Sequence, residues 1–288
     1  MKKYRESELR LINLFRPGQK FYFPPIKSEV VILKSGKPRC KKGEPKTDLY
    51  VLVSDGNKQH ELKISYKNIN ADFIENKISA ERAESIFGDK WKPIIIEAIR
   101  GLISNFESRQ CIYKNQIRNT RKGSITLGYK LELTNKSNGE LSALLHLTEE
   151  QLCNIYAGTN LSEDKRHAMV NGKITQDSGV ANFILISDTM NSAQEVINEI
   201  IPIETYVKTN PNIYIAFKAL NYRTFEQKYD GNRPLAVPVI WSVEKGKLIG
   251  HPKYELPFEI NGKESANRLL ASMNELGIKT TDDIKDDG

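Results

Sequence analysis

The sequence predicts an α/β (α+β mixed) fold in which helices flank a central mixed β-sheet. Residues 61–67 alternate, with Leu62, Ile64 and Tyr66 on one side and Glu61, Lys63, Ser65 and Lys67 on the other, the period of a half-buried strand. Helix-start signatures recur at Ser79, at Thr148-Glu149-Glu150-Gln151 and at Ser192-Ala193-Gln194-Glu195. Val180 to Ser187 is nearly continuously apolar, the pattern of a strand buried on both faces. Capped helices alternating with strands of both kinds pack as layers around one sheet.

Taken in order, residues 6–15 put Leu9, Ile12, Leu14 and Phe15 on roughly one face of a short opening helix. Phe21 to Phe23 is extended and stopped by Pro24-Pro25, and Val30 to Leu33 is a strand ended by Ser35-Gly36. Residues 37–46 form a basic loop. Asp48 to Val53 makes a strand, apolar after its first residue, Asp55-Gly56 signals a hairpin turn, and the alternating strand follows. Ser79 caps a helix that Gly88 ends, and Pro93 opens a broad apolar helix. Residues 113–124 are a second basic loop, interleaved with Asn115, Gln116, Asn119 and Thr120, and 125–133 alternate like a strand. Further helices start at Thr148 and Ser192, the second as a capping box running to about Ile201. Strands follow at 212–219 and 235–243, then a helix from Ala266 to Leu276 closed by Gly277. The acidic end, Asp282 to Asp287, reads as a frayed tail. The expected division is a core over residues 1–205 with insertions, and a C-terminal β-rich part over 206–288.

The chain has 288 residues, enough for a sizeable core, and its 39% hydrophobic and 27% charged content is that of a globular protein. It holds no run of 18 apolar residues and no signal-peptide core at its start, so a cytoplasmic protein without membrane contact is expected. Cys40, Cys111 and Cys153 stand far apart and the four histidines are scattered, which argues against structural zinc. Residues 1–130 hold 27 Lys and Arg against 14 Asp and Glu, a net of +13; the rest hold 16 against 22, a net of −6. That asymmetry suggests a polyanionic partner for the first half.

The chemistry concentrates at the hairpin. A two-residue loop at Asp55-Gly56 sets Asp48 opposite Lys63, and a longer loop sets it opposite Ser65. Either way a carboxylate lies beside a row of polar groups that includes two lysines. Aspartate is depleted in strands, so its place before Leu49 asks for a reason. A carboxylate of this kind suits Mg²⁺, which takes oxygen ligands and keeps several waters, and a nearby lysine suits the charge that develops in phosphodiester hydrolysis.

Pro45-Lys46-Thr47-Asp48 followed by acid-x-Lys, or by Ser65-Tyr66-Lys67, resembles the PD-(D/E)xK nuclease superfamily, and within it the type II restriction endonucleases in which Asn, Gln or Ser replaces the acid before x-Lys. The resemblance covers residues 40–90. It implies a restriction-endonuclease-like core with β-rich additions and a Mg²⁺-dependent endonuclease that hydrolyses double-stranded DNA, most simply a sequence-specific type II enzyme of a restriction-modification system, as monomer or homodimer. Glu61-Leu62-Lys63 carries the usual letters; Ser65 and Lys67 are preferred because they sit deeper in the sheet. With serine there, a second metal carboxylate must come from elsewhere. The candidates are Glu81, which stands 14 residues after Lys67 on the next helix of the sequence, Glu61, and Glu8 on the opening helix. DNA contacts are expected from Lys41, Lys42 and Lys46 in the first basic loop, and from Lys114, Arg118, Asn119, Arg121 and Lys122 in the second. A structure-selective repair, recombination or mobile-element nuclease and a non-catalytic DNA-binding protein remain as alternatives.

Overall fold

The computed structural model describes residues 2–285 except 42 and 72, with side chains from residue 6 onward, that of residue 73 apart. Lys42 and the end of the acidic tail therefore lie outside the described residues. The fold is mixed α/β, with helices flanking a central mixed sheet.

The chain makes two compact units, each from two stretches: Met1–Ala71 with Leu147–Pro211, and Asp72–His146 with Asn212–Gly288. The first stretch holds α1 (Lys2–Leu14), β1 (Lys20–Phe23), β2 (Ser28–Gly36), β3 (Leu49–Ser54) and β4 (Gln59–Lys67). The chain then enters the second unit with β5 (Phe73–Glu75), α2 (Ala80–Phe87), α3 (Trp91–Arg100), α4 (Ile103–Glu107), β6 (Ile112–Tyr113), β7 (Ser124–Thr134) and β8 (Ser142–Leu145). It returns to the first with α5 (Glu149–Ala157), α6 (Glu163–Arg166), β9 (Met169–Val170), β10 (Lys173–Ile174), β11 (Phe183–Ile186), α7 (Ala193–Glu199), β12 (Ile201–Pro202) and α8 (Ile203–Thr209). It ends in the second with β13 (Ile213–Arg223), β14 (Val237–Glu244), β15 (Lys247–Pro252) and α9 (Gly262–Glu275).

In the first unit the sheet runs β1-β2-β3-β4-β11-β12. The first four strands form an antiparallel meander, and β11 adds parallel to β4, with Phe183 opposite Ile64 and Ile186 opposite Lys67. Parallel neighbours need a long crossover. Here it contains the whole excursion through the second unit and then α5. One face of the sheet buries Leu49, Val51, Val53, Leu62, Ile64 and Tyr66 against Leu11 of α1, Phe15 just after it, and Val196 and Ile197 of α7. At roughly 2 kcal/mol per buried large side chain, this face dominates the unit's stability.

The opening helix is longer than expected, and of the residues assigned to its apolar face Ile12, Leu14 and Phe15 pack on the core while Leu9 does not. Leu9 is 52% exposed, while Glu8, Leu11 and Phe15 face inward. The i, i+3, i+7 spacing selects that stripe, and the acid within it hides it from an apolar count. Two other expectations need correcting. The strand expected over Val180–Ser187 is only Phe183–Ile186, because Gly179 and Ala181 spend their backbone groups on the chain around Lys46 and Ala157. Ser192 caps α7, but the Glu195 carboxylate accepts from the Asn191 N–H, so the reciprocal capping box does not close.

The second unit has a sheet ordered β15-β14-β7-β13-β8, with β5 and β6 also paired to β7. β7 is central and buried at every position but Lys130, so the expected alternation is absent there. Its Ile125 and Leu127 pack with Trp241, Leu269 and Met273 under α9. Tyr129 and Phe217 pack on Phe106 of α4 at ring-centroid distances of 5.0 and 5.4 Å. The acidic end is ordered as far as it is described: Thr280 caps a 3₁₀ turn over Thr281–Asp283, and Ile284 joins the α9 core. A hydrophobic anchor and a cap outweigh the fraying expected from charge alone.

Folding redistributes the charge. Counted by unit, the first holds 20 Lys and Arg against 16 Asp and Glu (+4) and the second 23 against 20 (+3), so the asymmetry of +13 and −6 along the chain is not an asymmetry between units. Among the described residues no helix is long and apolar enough to cross a membrane.

Candidate active site

Asp48 stands one residue before β3, on the sheet face opposite the core. The hairpin closes with Ser54 paired to Gln59 and the Asp55 N–H donating to Lys58 O, so the loop is four residues long. The Asp55 carboxylate accepts from the Asn57 and Lys58 N–H groups at 2.8 and 2.7 Å, which stabilises the loop. With Leu49 opposite Ile64, Asp48 falls opposite Ser65, as the longer of the two expected loops requires. Its N–H donates to Ile64 O at 2.9 Å, and its Oδ2 accepts from the Tyr66 N–H at 2.8 Å.

The Asp48 carboxyl is pushed up from 3.8 to about 6. Burial is the main cause; the Lys67 ammonium and the Tyr66 N–H pull the other way, and Glu8 adds to the rise. Lys67 closes β4, where its carbonyl accepts from the Ser187 N–H at 3.1 Å. Ser65 is buried, with 4% of its surface exposed.

Glu8 reaches the same electrostatic neighbourhood from α1. It is 8% exposed and pairs with Lys37 at 2.6 Å. Lys37 is raised above the usual lysine value: burial lowers it, but the hydrogen bond and charge of Glu8 outweigh that, with Asp48 and Glu44 contributing further. Two acids and two lysines thus influence one another at this end of the sheet. Replacing Lys37 with methionine leaves Glu8 a buried carboxylate without this cation. We expect a loss of about 2–3 kcal/mol in urea unfolding at pH 8, largely recovered in the Glu8→Gln/Lys37→Met double variant. A single variant as stable as the wild type would show that the pair is not structural.

The other candidates have these surroundings. Glu61 lies opposite Leu52, four residues and roughly 13 Å along the strand from Ser65. It accepts from the Tyr50 hydroxyl at 2.6 Å and meets Lys63 at 3.7 Å. Lys63 is opposite Tyr50, and its N–H donates to Asn182 Oδ1. Glu81 belongs to the second unit, in the first turn of α2, where hydrogen bonds to the Ser79 side chain and to the helix backbone lower its pKa. The helix next in sequence after Lys67 is not the helix next in the first unit, which is α5. Lys41 and Lys46 are in the first unit, Lys41 exposed and the Lys46 stem packed over Gly158. In the second unit Arg118, Asn119, Arg121 and Lys122 are exposed; Arg118 meets Glu140 at 3.6 Å, Arg121 meets Glu226 at 3.5 Å and Lys122 meets Asp282 at 3.0 Å. Exposed pairs of this kind contribute little to stability.

Lys37 and Asp188 are additions that sequence patterns do not mark. Asp188 follows β11, accepts from the Ile69 N–H at 3.1 Å and acts on Tyr66. Glu8 was marked in the sequence only by the resemblance, as an acid on the opening helix. Among the described residues, no group of three or more His, Cys, Asp or Glu side chains capable of holding a metal is gathered. No family model, curated protein or solved structure matches the chain.

Proposed function

We propose that the first unit is a Mg²⁺-dependent endonuclease acting on double-stranded DNA, of the type II restriction kind. The observation that carries this is the pairing of a desolvated Asp48 carboxylate with Ser65 and Lys67 across one hairpin. Support for a restriction-endonuclease-like core comes from its setting: α1, an antiparallel run to β4, then α5 and a parallel β11.

The residues suit a hard cation. Mg²⁺ is commonly held by one or two carboxylates and keeps its waters, and Asp48 is a partly buried anion whose neighbours do not fully compensate it. Asp48 would hold the ion, with Glu8 as second carboxylate in place of the distant Glu61. Bound there, Mg²⁺ supplies Lewis acidity and lowers the pKa of a coordinated water. The Lys67 ammonium, beside Asp48, stabilises negative charge building on the phosphoryl oxygens. Ser65 offers a hydroxyl to orient water, and Lys37 holds Glu8 in place.

Purified protein incubated with unmethylated plasmid and Mg²⁺ should yield discrete fragments, and EDTA should stop the reaction. Lys67→Met should lower the single-turnover rate by about 10²–10³. Wild-type protein that leaves every unmethylated DNA intact would overturn the proposal. Cutting confined to branched or nicked substrates would replace it with the structure-selective alternative.

A further inference from the structure

We propose that a lysine-rimmed groove in the second unit binds the phosphate backbone of duplex DNA. The choice of duplex DNA rests on the nuclease reading; the anionic character of the ligand does not. The groove, about 810 Å³, is lined by parts of β6 and the loop after it, the β14–β15 turn and residues 276–285. Lys114, Lys245, Lys247 and Lys285 line it from three separate stretches of chain. Among the described lining residues Asp283 is the one carboxylate, and its Oδ2 already accepts from the Lys279 and Thr280 N–H groups at 2.9 and 2.7 Å. Cations spread along a groove suit a polyanion better than a single small anion, because successive phosphates can meet successive lysines.

Two further observations point the same way. Lys245 and Gly246 form a two-residue hairpin loop between the paired Glu244 and Lys247, with φ of 50° and 75°. That left-handed conformation favours Asn, Asp or Gly, and here it sets Lys245 at the tip of the turn, on the rim of the groove. The chain also places acceptors on neighbouring lysines much as a phosphate chain would. The Ile284 carbonyl accepts from the Lys114 ammonium, and the Asp282 carboxylate pairs with Lys122 at 3.0 Å.

The test is anisotropy of a labelled duplex without Mg²⁺, titrated with NaCl. The Lys245→Gly/Lys247→Ala/Lys285→Ala variant keeps a glycine-compatible turn, so its melting temperature should stay close to that of the wild type. It should bind about tenfold more weakly near 0.1 M salt, with a salt slope smaller by about 2 to 3. Unchanged affinity and slope in the triple variant would overturn the proposal, as would a wild type that does not bind duplex at low salt. Binding to phosphatidylserine vesicles that the triple variant loses, with DNA binding intact, would assign the groove to a membrane surface instead. The two proposals fail separately. Cutting with an unchanged KM in the triple variant removes the groove and keeps the nuclease; groove-dependent binding without Mg²⁺-dependent cutting does the reverse.

Discussion

Asp48→Asn should abolish Mg²⁺-dependent cleavage, by about three orders of magnitude or more, and at pH 8 should make the protein more stable rather than less. The two effects share a cause. The Asp48 carboxyl rises from 3.8 to about 6 on folding because burial outweighs the help of Lys67 and the Tyr66 N–H. A carboxyl that binds its proton more tightly when folded favours the fold below the unfolded pKa, and that contribution is lost as the pH climbs from about 4 through about 6. Ionisation at pH 8 therefore costs roughly 3 kcal/mol relative to the protonated state, an upper figure for a group only partly withdrawn from solvent. Asparagine keeps an acceptor for the Tyr66 N–H and carries no charge. Chemical unfolding at pH 4 and pH 8 checks this: the wild type should lose stability between them by an amount that Asp48→Asn does not lose. Added Mg²⁺ should raise the wild-type melting temperature at pH 8 and leave the variant unmoved, since metal binding and proton release are linked. A variant that still cuts, or that is less stable at pH 8, would sink the assignment of Asp48.

Gly179→Ala should be the most damaging small substitution in the first unit, by about 3–5 kcal/mol in urea unfolding. A Cβ at Gly179 would lie 1.8 Å from the Lys165 carbonyl oxygen and 2.8 Å from Pro45 Cβ. The obstruction is backbone, which cannot swing aside as a flexible side chain can. The Gly179 carbonyl also accepts from the Lys46 and Thr47 N–H groups at 3.0 and 3.3 Å, so shifting it moves the segment that delivers Asp48. If the variant stays folded, cleavage should fall while groove-dependent DNA binding in the second unit holds. Gly172→Ala is the control: its Cβ meets nothing within 4 Å, though its φ of 79° still carries some strain. Equal stability of Gly179→Ala and wild type would show that the Pro45 segment is not fixed by this contact.

What could be read from the sequence followed local physics. Alternation at 61–67 assigned the core face of β4 to Leu62, Ile64 and Tyr66, and the fold keeps that assignment. Ser79, Thr148 and Gly88 marked helix ends because capping depends on neighbours a few residues away. The choice between Lys63 and Ser65 as the partner of Asp48 was different in kind. It turned on a loop of two or four residues, and the Asp55 carboxylate decided it by capping the Asn57 and Lys58 N–H groups.

The sequence by itself determined the mixed α/β class, most strand and helix positions, and the facing of Asp48 toward the polar side of β4, because each depends on periodicity and contacts within about 20 residues. The tertiary structure alone decided the rest. It sent residues 72–146 into a second unit, so Glu81 belongs to that unit and α5 became the helix that follows β4 in the first. It also brought Glu8 and Lys37 to Asp48, from 40 and 11 residues away in the chain. Charge behaves likewise: the +13 of the first 130 residues is divided between two units of +4 and +3. Burial and electrostatics act through space, and a linear sequence does not record which distant residues will share it.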